Sequence, residues 1–327
     1  MFCHRNASRA ARAGFCASVL SVALGAQAYP DKPISVIVPF APGGSSDNVA
    51  RVLGPALSEK LGQPVILDNV SGAGGVLGTQ KAVRAAPDGY TLLLGSGSEI
   101  LINKLINPKL PYDATKELAP VAMVGTGPMV LLAKTSLAAN NVPDLIKLAH
   151  AKPGALSYGS AGNGTPMNVA GELFKIRSKS FMTHIPYRGA APALSDLMGG
   201  QIDLVVSTLS AAQPHIKSGR VKALATTGAK QSALAPDIPA MGSVTGLEGF
   251  DLNVWFGIFV PAKTPADIVE KLQAATQQVV SDPAIRKKLA EQGIEAKPGG
   301  AEDLRRFVQH EIKVYEPVIK AANIRVE

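Results

Sequence analysis

The chain has 327 residues and a formal net charge of +8, with 46% hydrophobic and only 5% aromatic residues. That length accommodates two domains of ordinary size, and its Lys and Arg residues are scattered singly, with no basic stripe for nucleic acid to follow. Both cysteines, Cys3 and Cys16, lie in the first 28 residues, so the remainder has no disulfide, thiolate nucleophile or cysteine metal ligand.

Those first residues read as an export signal. Arg5, Arg9 and Arg12 form a positive start, Gly14 to Gly25 an apolar segment, and Ala26-Gln27-Ala28 a small-residue cleavage site, which sets Tyr29 as the mature start. The apolar run is too short to span a bilayer. Ala13, Gly14 and Phe15 ahead of Cys16 match a lipoprotein acylation site poorly, so a free exported product is expected. Its removal leaves 299 residues at +5, because the segment holds three arginines and no acid. Such a charge favours small anionic solutes.

Strand and helix patterns then alternate. Ile34 to Val38 is a β-branched strand stopped by Pro39 and Pro42; Gly43 and Gly44 permit a turn, and Ser46 or Asp47 is expected to cap a helix over Asn48 to Leu61. A second strand, Pro64 to Leu67, leaves through Gly72 to Gly75 into a helix reaching Arg84. A third, Thr91 to Leu94, leaves through Gly95 to Ser98. Val121 to Val124 and Met129 to Ala133 read as two strands around Gly125 to Pro128, the first crossing into a second domain.

In that second domain Pro143 opens a helix ending near Ala151. Strands follow at Leu156 to Tyr158, Ser180 to Ile185, Ile202 to Val206 and Val221 to Ala225, with helices at Asn168 to Ile176 and Ala191 to Met198. Leu252 to Pro261 is the return crossing, where Trp255 and Phe256 are expected to pack. Thr264 is expected to cap a helix to Val280, Asp282-Pro283 starts another, and Glu302-Asp303 opens the last. Two crossings imply a discontinuous first lobe, 29–126 with 254–327, and an inserted second lobe, 127–253. The fold class is α/β with largely parallel sheets.

Ligands of parallel α/β sheets bind outside the carboxyl ends of the strands. There the sequence repeatedly sets small hydroxyls beside glycine: Ser45, Ser46, Ser71, Ser96, Ser98, Ser160, Thr165, Ser207, Thr208 and Thr226. With free amides at helix starts, they suit a carboxylate better than they suit catalysis. Arg188 is the strongly charged residue at a second-domain exit, where a guanidinium can take a carboxylate bidentately. Asp203 enters its strand at the far end and reads as structural.

These exits also carry a family resemblance. Pro39-Phe40, Gly43-Gly44 and Asp47, the Gly72 to Gly75 loop, Pro87 to Tyr90, Gly159 to Thr165, Glu172-Leu173-Phe174, Pro186 to Leu197 and Gly199 to Asp203 resemble the Bug family of extracytoplasmic solute receptors. Those are the receptors of tripartite tricarboxylate transporters. The resemblance implies a type II periplasmic-binding-protein fold, two lobes closing over a small carboxylate. It places Phe40, Ala41, Gly44, Ser45 and Ser46 on one carboxylate. Ser160, Ala161, Gly162 and Thr165, with Arg188, Gly189 and Ala190, come from the other side. Ser96 and Ser207 complete the expected site. Thr165 and Asn168 stand where many relatives have Ser and His, and Arg188 where many have Lys.

The implied protein is a periplasmic monomer that binds a small organic mono- or dicarboxylate, an aromatic or amino acid-like one included. It needs no cofactor or metal and passes the solute to membrane transporter subunits. A receptor serving a membrane sensor is the alternative. A serine hydrolase lacks its Gly-x-Ser-x-Gly elbow, and only His184 lies near an exit. A nucleotide fold is disfavoured because Leu77 occupies the third-glycine position after Gly72 and Gly74.

Overall fold

A β-branched run that cannot continue past proline begins the fold. In the computed structural model, which describes residues 29–325, β1 (Ile34–Val38) is almost wholly buried and ends at Pro39. The leader read from residues 1–28 lies outside the described residues. The chain continues as α1 (Ser45–Leu61), β2 (Val65–Asn69), α2 (Val76–Val83) and β3 (Thr91–Ser96), with β2 and β3 parallel to β1 on either side. A π-helical turn over Ser98–Ile102, then α3 (Asn103–Ile106) and α4 (Ala114–Glu117), lead into β4 (Leu118–Lys134).

β4 corrects the sequence reading. It is one strand of 17 residues, not two around a turn. The glycines read as a turn serve close packing instead: a Cβ on Gly125 would lie 2.4 Å from the Glu295 carbonyl oxygen, and one on Gly127 2.4 Å from that of Gly293. Pro128, which has no N–H to give, falls where the ladder to the returning strand ends.

The second unit comprises α5 (Val142–Ala151), β5 (Ser157–Ser160), α6 (Pro166–Ser178), β6 (Thr183–Pro186), α7 (Ala190–Met198), β7 (Leu204–Thr208), α8 (Leu209–Lys217) and β8 (Val221–Thr226). β9 (Asn253–Pro261) returns, and α9 (Ala266–Ser281), α10 (Pro283–Glu291), β10 (Glu295–Ala296) and α11 (Ala301–Ala321) follow. The strand order is β2-β1-β3-β9-β4-β7-β5-β6. The first half of β4 lies between β9 and β10, and its second half between β7 and β8. One continuous strand therefore joins two sheets, and β9 runs antiparallel beside it.

Side-chain alternation along β4 divides the core. Met129, Leu131 and Ala133 face an apolar cluster that reaches into the first sheet, whereas Val130 and Leu132 join Leu194, Leu197, Val205 and Leu209 on the other face. Trp255 is 1% exposed and packs edge-on to Phe307 at 5.6 Å, so the packing role expected of the return crossing holds. Asp203 is structural, as read: it pairs with Lys134 at 2.7 Å and accepts the Ser157 N–H.

Two expected caps are corrected. Gly44, without a side-chain cap, starts α1, and Asp47 sits inside its first turn. α9 starts from Pro265, while the Thr264 hydroxyl donates to the Pro261 carbonyl. Asp282 does cap α10.

Candidate ligand-binding site

The bend from β1 to α1 is held from beneath. Asp47 is 1% exposed and accepts the Gly43 N–H at 2.9 Å, the Arg51 guanidinium at 2.7 Å and the Asn69 amide at 3.0 Å. Asn69 also donates to the Phe40 carbonyl. Burial would raise the Asp47 carboxyl, but Arg51, Gly43 and Asn69 together hold it below the usual carboxylate range. Gly43 turns at φ +84°, with nothing near a would-be Cβ, so conformation rather than space requires glycine there. Because Asp47 is spent on Gly43, the first amides of α1 have no side-chain cap. They form a positive helix end open to an anion.

The second unit repeats the device. α7 begins at Gly189, φ +113°, also without a side-chain cap, and the Gly189 N–H is tied to the Ala161 carbonyl at 3.2 Å. By contrast α6 is capped by Thr165 and α8 by Thr208.

Contacts between the units bring the start of α1 against the second unit. The Ser45 hydroxyl donates to Thr208 Oγ1 at 3.2 Å and lies 3.3 Å from Ser210 Oγ. A Cβ on Gly97, just past β3, would stand 3.7 Å from Pro166 Cγ, and one on Gly164 would meet Ile106. The Phe40–Ser46 bend and the segment after β3 therefore lie against the second unit, at Thr208 and Ser210 and at Gly164 and Pro166.

The Ser160 loop rests on a polar network. Ser160 Oγ is 2.7 Å from His184 Nε2, Gly162 donates its N–H to that hydroxyl at 3.2 Å, and Asn168 Nδ2 is 3.3 Å from His184 Nδ1. Ser160 is fully buried, and its hydroxyl also reaches the Gly162 carbonyl at 3.1 Å. All four contacts are satisfied together when His184 carries its proton on Nε2 and donates to Ser160. His184 then accepts no proton from the serine, so the pair is a loop anchor and not an activated nucleophile.

Burial pushes the His184 imidazole down to about 4, against the Glu172 carboxylate that raises it. An unfolded histidine titrates near 6.5, so between pH 6.5 and about 4 protons favour the unfolded chain. Stability is expected to fall as pH drops through that window. Thermal melts across it should show a steeper decline in the wild type than in His184→Gln; equal slopes would assign the loss to other groups.

Of the residues expected at the site, Phe40, Ala41, Gly44, Ser45 and Ser46 line the bend, with Ala41 and Gly44 exposed. Ser96 is bonded to Glu99. Ala161, Gly162 and Thr165 lie on the loop after β5 and Gly189 and Ala190 at the start of α7, tied to it by the Gly189 N–H on the Ala161 carbonyl, while Ser160 is buried. Ser207 is fully buried at the end of β7, and its hydroxyl has no partner among the described residues. Arg188 is exposed on the β6–α7 turn and forms no ion pair among the described residues. Sequence reasoning did not assign roles to the supports: Asp47 as an anchor, Asn69, Glu99, Asn168 and Ser210. Asn69 and Glu99 lie at strand exits, which was the available signal; their partners come from other loops.

Two α/β lobes joined by antiparallel crossing strands define a periplasmic binding protein of the two-lobed class. The chain belongs to the tripartite tricarboxylate transporter receptor family, whose model matches residues 49–324. It is 35% identical over 309 residues to Bordetella pertussis BugT, covering 94% of each chain. Among solved structures, R. palustris Rpa4515 with adipate aligns with a TM-score of 0.85 at 32% identity, covering 91% of this chain and 99% of that one. MatC from Rhodopseudomonas palustris with bound malate aligns at 0.81 and 32% identity, covering 89% and 100%. The protein is accordingly a receptor and not an enzyme. Among the described residues no helix is long and apolar enough to cross a membrane.

Proposed function

We propose that this receptor captures a small organic mono- or dicarboxylate between its lobes in the periplasm, after cleavage behind Ala28, and delivers it to transporter subunits in the membrane. The observation that carries the reading is the pair of helices that start without a side-chain cap, α1 in one lobe and α7 in the other, and on this reading both ends face the solute. Each offers N–H groups and a positive dipole end to an anion. Adipate in Rpa4515 and malate in MatC support the same ligand chemistry. The site comprises the Phe40–Ser46 bend with Ser96 on one side. The Ser160–Thr165 loop, Arg188 to Ala190 and Ser207 form the other.

The lobes divide as 29–126 with 254–327, and 127–253, a division supported by the β4–β9 ladder from Leu118–Pro261 to Pro128–Asn253. The receptor acts as a monomer. Titration calorimetry of the mature chain against mono-, di- and aromatic carboxylates and acidic amino acids is expected to find at least one binder; silence across the panel overturns the reading. Arg188→Ala should weaken that binder by about tenfold or more, the scale of a lost charge-assisted contact. An unchanged affinity removes Arg188 from the site.

A further inference from the structure

The exit of β3 holds a carboxyl group that anion binding does not by itself call for. Glu99 is 1% exposed and folds back onto the end of its own strand. Ser96 donates its backbone N–H to Oε1 and its hydroxyl to Oε2, the latter at 2.9 Å. A Cβ on Gly75 would stand 3.2 Å from Glu99 Cβ, 3.5 Å from its Oε2 and 3.3 Å from Phe40 Cζ. The carboxyl thus lies where the three first-lobe exits converge. It is two residues from Gly97, which approaches the second lobe.

Among the described residues no cation balances a charge there. α3, α4 and α11 pack against the turn that carries Glu99, yet among the described residues none brings a cation to act on it. Tyr112 is the titratable neighbour; burial and the Glu99 charge push its phenol up to about 12. Desolvation therefore dominates and pushes the Glu99 carboxyl up to about 7.

A serine hydroxyl has one proton to give. With Glu99 ionised, that proton is committed to Oε2, and Ser96 offers an incoming anion only lone pairs. With Oε2 protonated, Glu99 donates to Ser96 Oγ and frees the serine hydrogen for the solute. The Ser96 N–H bond to Oε1 survives in both states. We infer that Glu99 is a proton-operated switch behind the carboxylate site, taking one proton from solvent as the anion is captured and turning Ser96 from acceptor into donor. This inference rests on the receptor reading above.

The test titrates the mature protein with adipate and with malate from pH 6.5 to 8.5, both acids staying ionised throughout. With a carboxyl at about 7, affinity at pH 8.5 is expected to be about twentyfold weaker than at pH 6.5. Repeating the pH 8 titration in buffers of different ionisation enthalpy should report uptake approaching one proton. In Glu99→Gln the amide donates permanently to Ser96, so binding should keep its low-pH strength at every pH and take up no proton. Binding that is flat with pH in the wild type, or a pH dependence that persists in Glu99→Gln, overturns the switch and leaves the receptor standing. Silence from both acids at every pH strikes the receptor reading and takes the switch with it. Difference infrared spectra of the unliganded protein supply a ligand-free arm. A carboxyl C=O band absent in Glu99→Gln should titrate near pH 7, and a Glu99 already ionised at pH 5 overturns the switch.

Discussion

A Ser45→Pro variant is expected to bind its carboxylate at least about tenfold more weakly than the wild type, with a melting temperature within a few degrees of it. Ser45 is the first residue of α1, where proline's fixed φ fits the helix and its missing N–H breaks no intrahelical bond. Gly44 before it is extended, ψ 171°, as a residue preceding proline must be. The fold thus tolerates the change, while the anion loses one amide of its cradle. Proline also removes the hydroxyl that reaches Thr208 and Ser210, so Ser45→Ala is the matched control. Ser45→Ala keeps the amide, and its loss should be the smaller of the two. Equal affinities for Ser45→Pro and Ser45→Ala would mean that this amide does not touch the solute.

The other large effect is on stability. Gly125→Ala is expected to destabilise by about 1–3 kcal/mol, as overpacking does in a well-filled interior. For a chain of this size that lowers the melting temperature by several degrees. The added methyl would meet the Glu295 carbonyl oxygen at 2.4 Å, and a backbone atom in a paired strand moves only by disturbing its ladder. Gly54→Ala in α1 is the control, since its methyl would meet only Leu67 at ordinary contact distance and alanine favours a helix. If calorimetry finds Gly125→Ala as stable as Gly54→Ala, β10 does not seat against β4 as described. Lowered stability with unchanged ligand affinity would mark the crossing as structural support alone.

Most elements were recoverable from the sequence because their signals are local. A β-branched run ended by proline marks β1, and proline at the start of α5 and α10 marks two helices. The positions of the strand exits followed from the alternation of these elements. The failures also have physical causes. Gly125 to Pro128 has turn composition, yet its glycines answer to a strand contributed some 170 residues later, which no local pattern encodes. Asp47 looked like a cap because a short side-chain acceptor at a helix start takes a backbone N–H, but Arg51 and Asn69 draw it inward and leave the helix start without a side-chain cap.

From its residues alone, this chain had to be an α/β protein with small hydroxyls and open amides at its strand ends, since propensity and periodicity act over a few residues. Which parts of the two units meet depended on Ser45 meeting Thr208, 163 residues away, and on Gly164 lying against Ile106. Such meetings arise from how β4 and β9 aim two sheets, through packing and register summed over the whole molecule. The paired use of Ser96 and Glu99 belongs to the same level, because burial by several distant elements, and not the spacing of the two residues, raises that carboxyl above its usual range.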